Sequence, residues 1–233
     1  MSNGPFEQRW QDVAYVESWA GEIRVNLIRL IAIVLFYARH LFVFVVWPDH
    51  SPAALAYHTR VTIAVAVWAA AVVALHWRLV HRRVPAWLKF AAAGFDAGMI
   101  TLICCLACAQ TGSPRTPLVL LFFPLIATAP LRMSLRLVYV TTAAAGLGYL
   151  IVLAYYAWYR VGFKTYYSAE SLSNGVRIPR SEEVMYLLAM LVAGLLAGQM
   201  VRQMRRVVIA PVVVVGATGS REAGGTQAEG EVA

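Results

Sequence analysis

Apolar residues in this sequence fall into blocks of about 20 residues, separated by short breaks that are basic or rich in proline and glycine. A helix of that length matches the roughly 30 Å hydrocarbon core of a bilayer at 1.5 Å per residue. Inside the bilayer every backbone polar group needs a partner within its own segment, which a helix provides. The blocks therefore predict an all-α fold, a polytopic membrane helix bundle.

The composition agrees with a membrane protein, because 60% of the 233 residues are hydrophobic and only 14% are charged. A soluble domain usually has about 25% charged residues. The net charge of +8 would suggest nucleic acid in a soluble protein. Here the basic residues cluster at block ends, so we interpret them as signals of orientation and expect no nucleic-acid partner.

Six apolar blocks predict six transmembrane helices. The fourth block has only about 15 residues and contains Pro124 and Pro130, so it is either a kinked span or a re-entrant one. The other five are long enough to cross a bilayer. In chain order the blocks cover residues 25–47, 61–80, 86–109, 117–131, 137–159 and 184–200.

The basic residues lie mainly in alternate breaks, which predicts that both the N and C termini are cytoplasmic. We expect a multi-pass membrane protein with three parts. Residues 1–23 form an interfacial amphipathic helix or a tail, residues 24–207 the six-span membrane domain, and residues 208–233 a flexible cytoplasmic tail.

Four stretches carry a resemblance that covers roughly residues 24–206. They are RLIAIVLFYARHL, RRVPAWLKFAAAGFDAGMITL, SPRTPLVLLFFPLIATAPLRMSLRLVYVTTAAAGLGYLIVLAYYAWYR and RIPRSEEVMYLLAMLVAGLLAGQMVRQMRR. Together they resemble the six-transmembrane N-terminal input domain of bacterial signalling proteins, namely sensor histidine kinases, serine/threonine kinases and adenylate cyclases. The resemblance implies a sensor-like membrane domain in the bacterial inner membrane. In those proteins the last span leads to a cytoplasmic output domain, whereas here Pro211 and the predicted tail follow it.

Charged residues inside the spans are the strongest candidates for a functional site, because an ionisable group at the bilayer centre costs at least about 2.5–3.5 kcal/mol and usually has a partner. Asp96 lies near the middle of the third block, and Arg39 lies close to the middle of the first. We predict an Arg39–Asp96 ion pair inside the bundle, either as a lock between two helices or as a switch or ion path.

Glycine pairs four residues apart allow helices to approach closely. Such pairs predict helix packing, within the chain or between chains, at Gly94 and Gly98 in the third block and at Gly194 and Gly198 in the last.

The sequence offers little for a metal or cofactor. Cys104 and Cys108 share a helix face but lack further ligands, so we interpret them as packing residues. His40 and His76 are predicted to lie at different depths, which argues against a haem between them. We expect no cofactor and no metal site. The longest external loop is the candidate ligand or partner surface, through Lys164, Tyr166, Tyr167, Arg177 and Arg180.

No catalytic motif is present, so we expect a non-enzymatic protein that acts through association with other membrane proteins, as a hetero- or homo-oligomer in the lipid bilayer. Two alternatives stay open. One is an accessory or structural subunit of a larger membrane complex. The other is a small transporter or channel that uses Arg39 and Asp96.

Overall fold

The computed structural model describes residues 5–46, 51–81, 85, 87–114, 116–132, 134–161 and 180–222, and within these ranges it describes the side chains except those of residues 5–19, 160–161, 180–182 and 205–222. All regular secondary structure in these ranges is helical, which confirms the all-α prediction. Among the described residues, five stretches are long and apolar enough to cross a membrane. They are Ala20–Val46, Pro52–His81, Leu88–Thr111, Leu135–Tyr159 and Glu183–Met204.

The described ranges contain six α-helices, with a stretch of mixed helix type after the third. The elements are α1 (Pro5–Val46), α2 (Pro52–His81), α3 (Leu88–Thr111), a 3-10 turn (Pro117–Leu121), α4 (Phe122–Thr128), a second 3-10 turn (Ala129–Arg132), α5 (Leu135–Tyr155), a π-helical turn (Tyr156–Val161) and α6 (Arg180–Glu222). We call the stretch Pro117–Arg132 the short segment.

The first and last helices are about twice as long as a membrane requires. α1 has 42 residues and α6 has 43, so each measures roughly 60 Å. The sequence predicts an interfacial amphipathic helix or a tail over residues 1–23 and a flexible tail from 208. The structure continues α1 back to Pro5 and α6 forward to Glu222. A helix nucleated within a span extends at little cost per residue, which accounts for the length of α1, whereas the extension of α6 passes through Pro211 and is not explained in this way.

Contacts of the short segment and of α6 show which helix termini share one end of the bundle. Arg132 pairs with Glu22 of α1 and donates a hydrogen bond to the carbonyl of Lys89 at the start of α3. Arg202 of α6 donates to the hydroxyl of Tyr139, near the start of α5. We call this the basic end of the bundle. The opposite end, where α1 passes to α2 and α3 stops, is the far end.

The short segment connects the two ends of the bundle. It follows the end of α3 at Thr111, and it finishes at Arg132 beside the start of α3. Its 3-10 turns rise about 2.0 Å per residue against 1.5 Å in an α-helix, so the segment covers nearly 30 Å. Its inward side chains, Val119, Phe122 and Ile126, are almost fully buried in the core among α2, α3 and α5.

α1 touches the short segment where Gly21 meets the carbonyl of Leu131. A Cβ atom built on Gly21 would lie 2.5 Å from that oxygen. Backbone cannot move aside as a flexible side chain can, so only glycine allows this approach. The contact sits one residue before Glu22, the partner of Arg132. The close backbone contact and the ion pair therefore both fix α1 against the end of the short segment.

We expect Gly21→Ala to destabilise the protein by about 1–3 kcal/mol, because the methyl group forces α1 away from Leu131. Gly94→Ala is the matched control, since a Cβ on Gly94 meets nothing within 4 Å. That control should be neutral or stabilising by up to about 1 kcal/mol, through helix propensity. Thermal unfolding of both purified variants in one detergent measures the difference. Equal stability of the two variants would contradict the contact.

Candidate functional site

α1 carries a polar stripe on the face that points into the bundle. Glu22, Asn26 and Arg29 follow one another at spacings of four and three residues, which places them on one side of a helix. Asn26 and Arg29 are 2% and 8% exposed. Farther along the same face the buried residues are apolar, beginning with Ile33 and Phe36. Only the half of α1 near the basic end therefore presents charge to the interior.

Arg29 pairs with Asp96 of α3. The distance from Arg29 Nε to Asp96 Oδ2 is 2.5 Å, and both side chains are buried. The indole Nε1 of Trp68 on α2 donates a hydrogen bond of 3.0 Å to the other carboxylate oxygen, Oδ1. A single carboxylate therefore joins three helices. Charge-assisted contacts of this kind are strong in an environment of low dielectric constant.

A second ion pair lies beside the first, between the short segment and α1. Arg132 Nε is 3.2 Å from Glu22 Oε2, and Arg132 Nη1 donates to the carbonyl of Lys89 at 3.1 Å. The Arg132 side chain is only 2% exposed. It also interacts electrostatically with both Arg29 and Asp96. Two cations and two anions thus form one neutral cluster, the charge network, made of Glu22, Arg29, Asp96 and Arg132.

The polar atoms in and around the network are not all satisfied. Asn26 Nδ2 donates to the carbonyl of Val72 at 3.1 Å. Among the described side chains of the network and Asn26, three buried atoms outside the two ion-pair contacts have no hydrogen-bond partner: Asn26 Oδ1, Glu22 Oε1 and Arg132 Nη2. Each such atom costs about 1–3 kcal/mol of desolvation. Charged residues inside membrane spans are costly and often mark functional sites, so this cluster of four is the candidate site of the bundle.

The predicted partner of Asp96 was wrong. Arg39 is exposed, and Asp96 pairs with Arg29. The apolar stretch of α1 begins at Ala20, earlier than the predicted Val25, which moves its centre toward the basic end. Arg29 and Asp96 lie about eight or nine residues inside their helices from that end, at matching depths near 13 Å. The spacing of Glu22, Asn26 and Arg29 was the signal that could have identified the inward face.

The two glycine pairs differ in their surroundings. A Cβ on Gly194 would lie within 3 Å of Thr142, and one on Gly198 would lie 3.5 Å from Tyr139, so this pair packs α6 against α5. Gly94 and Gly98 are exposed, and a Cβ there would meet nothing within 4 Å. The expected close packing within the chain is therefore present at Gly194 and Gly198. It is absent at Gly94 and Gly98, which lie on an exposed face of α3.

Near the far end, His40 of α1 meets His58 of α2, a contact that the sequence pattern did not predict. Their nitrogens Nε2 and Nδ1 are 3.1 Å apart, and the ring planes differ by 12°. The ring centres are 5.2 Å apart, so the two nitrogens lie close to the line between them. This is the geometry of one N–H···N hydrogen bond rather than of two ligands converging on a metal. His76 is exposed elsewhere on α2.

The other candidates contribute little to a site. Cys104 and Cys108 are fully buried, as packing residues are. Within the described ranges no three His, Cys, Asp or Glu residues are grouped so as to hold a metal ion. The predicted loop residues Lys164, Tyr166, Tyr167 and Arg177 lie outside the described residues, and Arg180 is the first residue of α6, its side chain likewise outside.

Compared with known proteins, the chain matches no family model, no curated protein and no solved structure. The charge network is accordingly the feature on which a function can be proposed. It contains no nucleophile and no general base in a cleft. All four of its charges lie next to an opposite charge, so the network can hold helices together or exchange one pairing for another.

We expect Asp96→Asn to destabilise the protein by about 3–5 kcal/mol, since it leaves the buried Arg29 without its counter-ion. The double variant Arg29→Gln with Asp96→Asn should recover most of that loss, because no buried charge remains unpaired. Arg39→Gln on the same helix is the control and should change stability by less than about 0.5 kcal/mol.

The variants are unfolded in detergent by heat or by denaturant. The measurement gives the change in the free energy of unfolding for Asp96→Asn, for the double variant and for Arg39→Gln. If Arg39→Gln were as harmful as Asp96→Asn, the assignment of Arg29 as the partner would be refuted.

Proposed function

We propose that this chain is a non-enzymatic multi-pass protein of the bacterial inner membrane, and that it acts as a sensor-like input domain through association with other membrane proteins. One observation carries the proposal. Both terminal helices continue well past the apolar spans at the basic end, and the charge network lies at the base of α1 on that side. A change in the pairing within the network could therefore move the parts of α1 and α6 that extend beyond the bilayer.

The membrane topology that fits this role has six spans and both termini in the cytoplasm. Support comes from the exposed basic residues at the basic end, among them Arg24, Arg78, Arg136 and Arg202, because cytoplasmic flanks carry an excess of Lys and Arg. The path of the short segment from one end of the bundle to the other supports its role as the fourth span.

The short segment is the element best placed to transmit a change. Its middle packs in the apolar core, and its last residue joins the charge network. Conversion of either 3-10 turn to α-helix would shorten the segment by about 2 Å, because the rise per residue falls from 2.0 to 1.5 Å. Arg132 would then shift between Glu22 and Asp96, with which it already interacts, without losing an opposite charge.

Two alternatives remain as rival proposals. An accessory or structural subunit would use the network only as a lock between helices. A small transporter or channel would need a polar path through the bundle. The interior beyond the network is mainly apolar and, among the described residues, holds no buried charge. Ile33, Phe36, Ile103, Phe122 and Ile126 are buried in it. That barrier supports coupling between helices over conduction.

The six-span topology predicts opposite labelling of two single-cysteine variants in intact cells. Ser171→Cys should react with a membrane-impermeant maleimide before lysis, and Ser220→Cys only after the membrane is permeabilised. The unaltered protein is the control, because two of its three cysteines are fully buried and Cys105 lies half-buried within a span. Labelling of both variants before lysis would exclude the topology in which the chain has six spans and both termini lie in the cytoplasm.

The three functional proposals predict different results from mild extraction of native membranes. A sensor-like domain should co-purify with substoichiometric amounts of a signalling enzyme, and Arg132→Gln should alter that enzyme's activity without loss of the complex. A structural subunit should appear in a fixed ratio with a large assembly. A transporter should show flux in liposomes that Asp96→Asn abolishes. Quantitative mass spectrometry and a flux assay on the same preparation separate these outcomes, and a fixed 1:1 ratio would overturn the sensor proposal.

A further inference from the structure

The seam between α5 and α6 opens onto the surface at the basic end. Gly198 brings α6 close to α5, where a Cβ atom would lie 3.5 Å from Tyr139 and 3.6 Å from Leu135. One turn farther along α6, Arg202 Nη2 donates to the hydroxyl of Tyr139 at 3.2 Å. The Tyr139 side chain is 42% exposed. The seam therefore holds a guanidinium and a phenol together at the outer surface of the bundle.

A second arginine stands on the same side of α5. Arg136 precedes Tyr139 by three residues, which places the two on one helix face, and it is exposed like Arg202. Among the acids whose side chains the structure describes, Glu22 and Asp96 are committed to the charge network and Glu183 begins the far-end half of α6. Within that part of the chain, neither Arg136 nor Arg202 has a carboxylate partner.

The surface next to these arginines is apolar. Exposed side chains continue along both helices toward the far end, Val140 and Leu147 on α5 and Leu195 on α6, all of them at least 43% exposed. A basic patch above an apolar strip is complementary to an anionic phospholipid, whose phosphate lies above its acyl chains. Basic sites between transmembrane helices on the cytoplasmic side bind anionic headgroups, and guanidinium forks suit phosphate.

We propose that the α5–α6 seam at the basic end is a binding site for an anionic phospholipid. Arg136 and Arg202 hold its phosphate, the hydroxyl of Tyr139 orients Arg202, and the acyl chains lie along Val140 and Leu195. The proposal rests on the multi-pass architecture and is independent of the sensor role, so either one can fail without the other. A lipid bound in the seam would join α5 to α6 just before the part of α6 that continues past its apolar span.

The test uses the full-length protein in nanodiscs of phosphatidylcholine, titrated with phosphatidylglycerol of the same acyl length and followed by native mass spectrometry. Arg136→Gln with Arg202→Gln should weaken phosphatidylglycerol binding by at least about tenfold. Arg24→Gln with Arg78→Gln is the matched control, since it removes two exposed arginines at the same end from other helices. The control should change binding by less than about twofold.

Several outcomes would overturn the proposal. One is an equal loss in both double variants, which would indicate a diffuse response to charge. Another is no preference for phosphatidylglycerol over phosphatidylcholine. A third is full competition by inorganic phosphate at the concentration of the lipid, which would indicate a general anion site. If the double variant fails to fold, Arg136→Gln alone decides, because that side chain is exposed. We expect it to weaken binding several-fold, and unchanged binding would refute the site.

Discussion

The carboxylate of Asp96 is the point on which this bundle depends. It lies 2% exposed within an apolar stretch, where an unpaired charge would be costly. Its two oxygens are taken by Arg29 of α1 and Trp68 of α2. Three helices thus have their depth and rotation set by one side chain. A shift of one residue in α1 would move Arg29 about 1.5 Å along the axis and turn it away from α3.

Helices in lipid gain little from burying apolar surface against one another, because the acyl chains are as apolar as the core. Polar contacts and close backbone packing must therefore select the arrangement. The short segment shows both, since Arg132 pairs with Glu22 and Leu131 touches Gly21. The α5–α6 contact shows the second kind, with Gly194 against Thr142. These few points, rather than the many apolar contacts, distinguish this packing from its alternatives.

The sequence predicted the parts of the fold that depend on block length alone. Five apolar blocks became long helices, and the short fourth block became a helical segment. Asp96 was identified as a site residue because any acid in such a block is unusual. Its partner was missed because depth depends on where the first helix begins, and Arg29 lies close to that start. The link to Arg132 depends on the path of the short segment, which periodicity does not encode.

The two halves of the bundle interior differ in a way that bears on mechanism. Toward the basic end the interior holds four charges and Asn26, whereas toward the far end the described buried residues are apolar or neutral, Thr101 and Thr116 included, until His40 meets His58. Charge cannot pass through the apolar half without a large desolvation cost. Displacement of a packed element can pass, since close-packed interiors transmit strain. Of the elements present, the short segment both packs in the apolar half and ends in the charge network. Any influence of the far end on α1 and α6 at the basic end therefore has a mechanical route through Phe122 to Arg132.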